Sequence, residues 1–94
     1  MTKADLVAAI AAETGTDKVI VRKVIDSFTE NVKKSLINNK NVYLRGFGSF
    51  IIVKKAKKTA RDIRKNKSVV IPEHYAPKFK PVKSFVDDVK SNVK

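Results

Sequence analysis

Between Val53 and Lys67 the chain carries Lys54, Lys55, Lys57, Lys58, Arg61, Arg64, Lys65 and Lys67 against one acid, Asp62. Cations packed this densely make and break no bonds by themselves. Their shared capacity is to neutralise a polyanion and release its counterions. Lysines on an edge hairpin can also serve solubility alone. Mixed signs would do that as well, so a bias of eight to one points to a partner. No aromatic residue falls between Phe50 and Tyr75. That argues against a stacking platform for single strands and for contacts to duplex phosphates and groove edges. Ile63 is the exception in the run, an apolar residue between Asp62 and Arg64. Apolar wedges of this type unstack base steps from the minor groove, and the plainer alternative is packing on lysine stems.

The elements that would carry these groups follow from the pattern around them. Phe50 to Val53 and Ser68 to Ile71 are β-forming flanks, so the basic run reads as a ribbon of two strands. The turn is expected near Arg64-Lys65-Asn66, with Asn66 tolerating positive φ. Ten residues per strand reach about 33 Å at roughly 3.3 Å each, enough to follow a groove. Val42-Tyr43-Leu44 reads as a short strand and Gly46-Phe47-Gly48 as a tight connection. Ala76 to Lys80 continues the return, with Pro72 and Pro77 marking interruptions or edges. Ahead of the strands, Thr2-Lys3-Ala4-Asp5 has capping-box spacing and Gly15 is a stop, giving a helix over about 3–14. Asp17 caps a second helix over about 18–38, with Val21, Val24, Ile25, Phe28, Val32 and Leu36 on one stripe and Asn39 at the left-handed end. Pro81 suits the first position of a last helix, with Phe85, Val89 and Val93 on its apolar face. The order is α-α-β-β-β-α. The parts are a helical dimerisation segment 1–41, strands 42–80 with an arm over about 53–75, and a C-terminal helix 81–94.

Composition sets the class. A length of 94 residues implies one domain, and the net charge of +12 favours nucleic acid. With the ribbon removed, about seventy residues remain for the body, a marginal size. There is no cysteine, so disulfides and thiolate metal sites are excluded and dimerisation is the remaining support. Val19, Ile20 and Ile37 lie off the main stripe of the second helix, which fits burial against a second chain. His74 stands alone, Asp87-Asp88 are helix neighbours that do not face each other, and the three glycines make no phosphate loop. No enzymatic activity, cofactor or metal is expected. The start lacks a basic stretch followed by a long apolar run, and no apolar run approaches about 18 residues, so the expected setting is the cytoplasm and its nucleoid.

Arg45-Gly46-Phe47-Gly48-Ser49-Phe50, the long basic arm and Lys78-Phe79-Lys80-Pro81-Val82-Lys83 resemble the HU and integration host factor family of bacterial architectural DNA-binding proteins. The resemblance spans essentially the whole chain. It implies an α+β fold, an intertwined dimer with helical body and three-stranded antiparallel sheets extended into two β-ribbon arms, and minor-groove embrace of DNA with apolar tips kinking it. By resemblance Arg61 is the arginine before the tip, Lys55 and Lys58 face DNA, and Lys80 and Lys83 contact phosphates beside the last helix. Lys3 matches a basic residue near the first helix, and Arg45 occupies the position that in one integration host factor subunit reaches into the minor groove. Phe47, Phe50 and Phe79 match core aromatics. The chain departs from the family at the tip, where Arg61-Asp62-Ile63 replaces Arg-Asn-Pro, and at Asn66 and Val82, where the family has glycine. Val53 stands where arginine is common.

The resulting expectation is a homodimer, with a heterodimer as the alternative, that binds and bends double-stranded DNA with little sequence preference. Its contacts would be Lys3, Arg45, Lys54, Lys55, Lys57, Lys58, Arg61, Arg64, Lys65, Lys67, Lys78, Lys80 and Lys83, with Ile63 as wedge. Sequence-directed bending of the integration host factor kind and binding of structured RNA are the alternatives. Membrane-surface binding ranks last, since the basic residues sit on a ribbon and the helical stripes are core-like.

Overall fold

The structure, a computed structural model, describes residues 1–62 and 67–93, with the backbone alone at Arg61 and Asp62. It divides into two compact units, Met1–Ser35 and Leu36–Lys94.

The first unit holds α1 (Lys3–Thr14) and most of α2 (Lys18–Ile37). The expected capping box forms: the Asp5 amide donates to the Thr2 hydroxyl at 3.3 Å, and the Thr2 amide donates to the Asp5 carboxylate at 2.9 Å. The Thr2 backbone N–H first, and second its hydroxyl, which donates to the same carboxylate at 3.1 Å, hold the Asp5 carboxyl below its ordinary value. Gly15 ends α1 in the left-handed region at φ +68°, as a C-terminal glycine should. The Asp17 side chain then accepts from the Val19 amide at 2.7 Å and starts α2. Asn39, at φ +59°, sits in the left-handed conformation expected after α2.

The core of this unit is small. Val7, Ala11 and Val21 are buried, with Ile10 and Ile25 packed against them. The α2 stripe does not close over itself: Val24 is 62% exposed and Phe28 44%, while Val19 and Ile20 are also exposed. Adjacent apolar side chains left in solvent at this density are a surface awaiting cover.

In the second unit β1 (Val42–Leu44), β2 (Gly48–Lys55) and β5 (His74–Pro81) form an antiparallel sheet in the order β1-β2-β5. A two-stranded ladder, β3 (Lys58–Asp62) with β4 (Lys67–Ile71), follows. The ribbon is thus two long strands, each broken once, rather than two continuous ones. The break falls at Ala56-Lys57 on one strand and Pro72-Glu73 on the other. Pro72 has no N–H to donate, which accounts for the lost pairing. The register survives the gap. Lys55 pairs with His74, and three residues further along each strand Lys58 pairs with Ile71.

A cluster of phenylalanines backs the sheet. The Phe47 and Phe79 rings lie 5.0 Å apart, Phe50 and Phe79 5.0 Å, and Phe47 and Phe85 5.6 Å. These are the separations at which aromatic pairs attract. α3 (Lys83–Asn92) brings Phe85 to this cluster. Pro81 is not the first helical residue, contrary to the sequence expectation. It still pairs with Gly48 as the last residue of β5, and the Val82 amide donates to the Phe47 carbonyl at 3.0 Å before α3 begins at Lys83. Sheet pairing outcompetes the preference of proline for a helix start.

Gly48 makes the cluster possible. A Cβ there would lie 2.6 Å from the Lys80 carbonyl oxygen and 2.7 Å from the Phe79 ring. Gly48→Ala is therefore expected to destabilise the fold by about 1–3 kcal/mol, the usual cost of overpacking. Chemical denaturation of the two proteins measures it, and equal midpoints would contradict the close approach.

Candidate nucleic-acid interface

Strand alternation sorts the side chains of the β1-β2-β5 sheet onto two faces. Phe50, Phe79 and Ile52 share one of them. The other carries the cross-strand row Tyr43–Ser49–Lys80, then Ile51–Lys78, Val53–Ala76 and Lys55–His74. Lys55, Lys78 and Lys80 therefore fall on one face, turned away from the phenylalanines. Lys80, Lys83, Tyr43 and Ser49 line one concavity of about 470 Å³ on it. Lys83 is the first residue of α3, and the preceding Val82 offers no side-chain cap to that helix start. Arg45 is exposed in the β1–β2 turn, where Gly46 takes φ +81° and the Phe47 amide donates to the Leu44 carbonyl at 3.0 Å. The turn needs glycine at that φ, which places Arg45 at its outer corner.

At the break, Lys55, Lys57, Lys58 and His74 line a second concavity. His74 Nδ1 lies 2.9 Å from the Pro72 carbonyl oxygen. A carbonyl only accepts, so Nδ1 carries the proton and Nε2 is left for solvent or a ligand. Lys54 lies on the phenylalanine-side face, opposite Tyr75 in register, and its Nζ is 3.0 Å from a Glu73 carboxylate oxygen. Lys67 opens β4 opposite Asp62, and Arg61 stands opposite Ser68 in the backbone register. Val69 and Val70, which alternate in side, are 46% and 55% exposed, so neither face of the β3–β4 ladder lies on a core.

Lys3 belongs to the other unit and is ion-paired with Asp26. Ile63, Arg64 and Lys65 lie outside the described residues, and with them the expected wedge and turn. The remaining expected contacts with described side chains, Lys54, Lys55, Lys57, Lys58, Lys67, Lys78, Lys80, Lys83, Arg45 and Lys3, are all exposed. Two of them, Lys3 and Lys54, already hold an internal carboxylate.

Sequence reasoning takes Tyr43 only as a strand residue and passes over Glu73. The alternation Val42-Tyr43-Leu44 carries the signal for the first, because it opposes Tyr43 to two aliphatic neighbours. Nothing in the sequence separates Glu73 from any other surface acid, since its contact with Lys54 crosses the ladder.

Residues 1–90 match the family described as Bacterial DNA-binding protein. DNA-binding protein HU of Thermotoga maritima is 34% identical over 90 residues, covering 96% of this chain and 100% of its own. Integration host factor subunit beta of Marinobacter nauticus is 33% identical over 95 residues, covering 100% of this chain and 97% of its own. Among solved structures, the Anabaena HU–DNA cocrystal structure superposes with a TM-score of 0.85 at 26% identity, covering both chains fully. Three helices, an antiparallel sheet prolonged by a basic ladder, and these likenesses along nearly the whole length place the chain in the bacterial DNA-binding protein family of HU and integration host factor.

Proposed function

We propose that two copies of this chain pair through the helical segment 1–41 and grip duplex DNA between their arms, bending it as an architectural protein of the nucleoid. One observation carries this reading. The β3–β4 ladder keeps the register of the sheet, exposes Val69 and Val70 on its two faces, and carries Lys58, Arg61 and Lys67 against Asp62 alone. Such a ladder is a preformed arm for a polyanion, and the relative solved with DNA has the same fold over its full length. The pairing of two chains is supported by the core. Among the described residues the buried apolar side chains are Val7, Ala11 and Val21, and with Phe28 44% exposed that is too small a core for a chain of 94 residues. Among the described residues no helix is long and apolar enough to cross a membrane.

Binding would draw on phosphate neutralisation first and on DNA deformability second. Arg45 through Phe50, and the likeness to an integration host factor subunit, favour a second reading in which the bend is directed to preferred sequences. Competition between a mixed pool of duplexes and single sequences separates the two.

Three outcomes are expected. With six to ten phosphate contacts, affinity for a duplex falls by about 10³–10⁵ between roughly 50 and 200 mM salt, and energy transfer between end labels rises on binding. A flat salt response, or binding without approach of the ends, would count against bending by the arms. Dilution is expected to lower the melting temperature, because unfolding and dissociation are linked. A concentration-independent melt would reject the two-chain body. Glu73→Gln frees Lys54 from its carboxylate, so the slope of log affinity against log salt is expected to steepen by about 0.9, the share of one phosphate contact. An unchanged slope would mean that Lys54 does not reach DNA.

A further inference from the structure

β1 begins at Val42, which pairs with Phe50, so Ile52 lies beyond the end of the β1–β2 pairing. Its amide finds a substitute acceptor: it donates to Asn41 Oδ1 at 3.1 Å. That bond fixes the side-chain amide of Asn41, oxygen toward Ile52. The amide nitrogen then donates to Tyr43 Oη at 3.3 Å. A phenol that accepts from Asn41 must direct its own O–H proton elsewhere. Tyr43 is 71% exposed, so that proton points to solvent or to a ligand.

Its surroundings identify the ligand. Tyr43 shares a cross-strand row with Ser49 and Lys80, on the face opposite the phenylalanine cluster. The concavity it lines also takes in Lys83 at the start of α3. Ile51, Pro81 and Val82 complete its wall, and two cations and two hydroxyls set in that apolar wall suit an oxyanion. A neutral donor among cations adds direction to the contact without adding charge.

We propose that Tyr43 is a phosphate-contacting residue of the sheet face, its hydroxyl set as an outward donor by Asn41. The assignment rests on the duplex-binding reading above. It makes the body, as well as the arm, a source of oriented hydrogen bonds to the DNA backbone. Lys80 and Lys83 supply the attraction, and Tyr43 fixes where along the strand the phosphate sits.

The test uses the full chain and fluorescence anisotropy on labelled duplexes of about 35 base pairs, one A·T-rich and one G·C-rich, at several salt concentrations. Tyr43→Phe is expected to weaken binding about tenfold, in keeping with loss of one hydrogen bond to a charged group. The loss should be equal on both duplexes, and the salt slope should not change, because a neutral donor releases no counterion. Asn41→Ala should weaken binding when Tyr43 is present and add nothing in the Tyr43→Phe background. Thermal melts of Tyr43→Phe should match the parent, which separates binding from folding. Parent-like affinity of Tyr43→Phe would overturn the proposal and leave Tyr43 a strand former only. A loss confined to one duplex would also overturn it, by assigning the hydroxyl to a base edge. Failure of the parent protein to bind either duplex would instead reject the duplex-binding reading itself.

Discussion

The register between β2 and β5 is the constraint on which the rest of the sheet and arm depends. It is pinned at Gly48, where the Lys80 carbonyl and the Phe79 ring fill the space of a side chain. From that point every partner is determined. Phe50 meets Phe79, Lys55 meets His74 and, past the break, Arg61 meets Ser68. A slip of β5 by one residue would carry Lys78 and Lys80 to the aromatic face and turn Phe79 away from Phe50. The same alternation that brings the rings together therefore gathers the cations.

The helical unit works under the opposite condition, too little burial rather than a fixed one. Its capping box, left-handed glycine and Asp17 cap are locally complete. Those features are worth fractions of a kcal/mol to about 2 kcal/mol each and order the helices without holding them together. Cohesion must come from Val24, Phe28 and their neighbours, which the single chain leaves in water. Local sequence rules and global stability are thus separated in this protein. The first are satisfied by one chain and the second asks for another.

Much of this was legible in the sequence, for identifiable reasons. Thr2, Gly15, Asp17 and Asn39 act through bonds to near neighbours, so their roles follow from spacing alone. Val42 to Leu44 and the basic flanks read as strands because period-two patterning and turn residues agree. The start of α3 did not follow, since the preference of Pro81 for a helix competes with a cross-strand pair to Gly48 that the sequence does not display. The break in the arm was readable only as an interruption at Pro72. That it leaves the register unchanged depends on the partner strand losing the same two residues from the ladder. Of the interface, the types of the residues were plain, but their partners were not. The engagement of Lys54 by Glu73 crosses the ribbon, and the Asn41 amide reaches Tyr43 two residues on only because its oxygen is held by the Ile52 amide of the neighbouring strand.

The β3–β4 ladder has a consequence for the behaviour of the protein at high concentration. In a two-stranded sheet each strand has one unpaired edge, and β4 runs Lys67-Ser68-Val69-Val70-Ile71, with both valines in solvent. A short, β-branched, exposed segment with free backbone donors is a template for edge-to-edge aggregation. Here it is bracketed by Lys67 and Pro72, one a charge and the other a residue that cannot extend a ladder. A second arm approaching the free edge of β4 thus meets a like charge at one end of the segment and a missing donor at the other. The residues that make the arm attractive to a polyanion are therefore also the gatekeepers that keep arms from polymerising with one another.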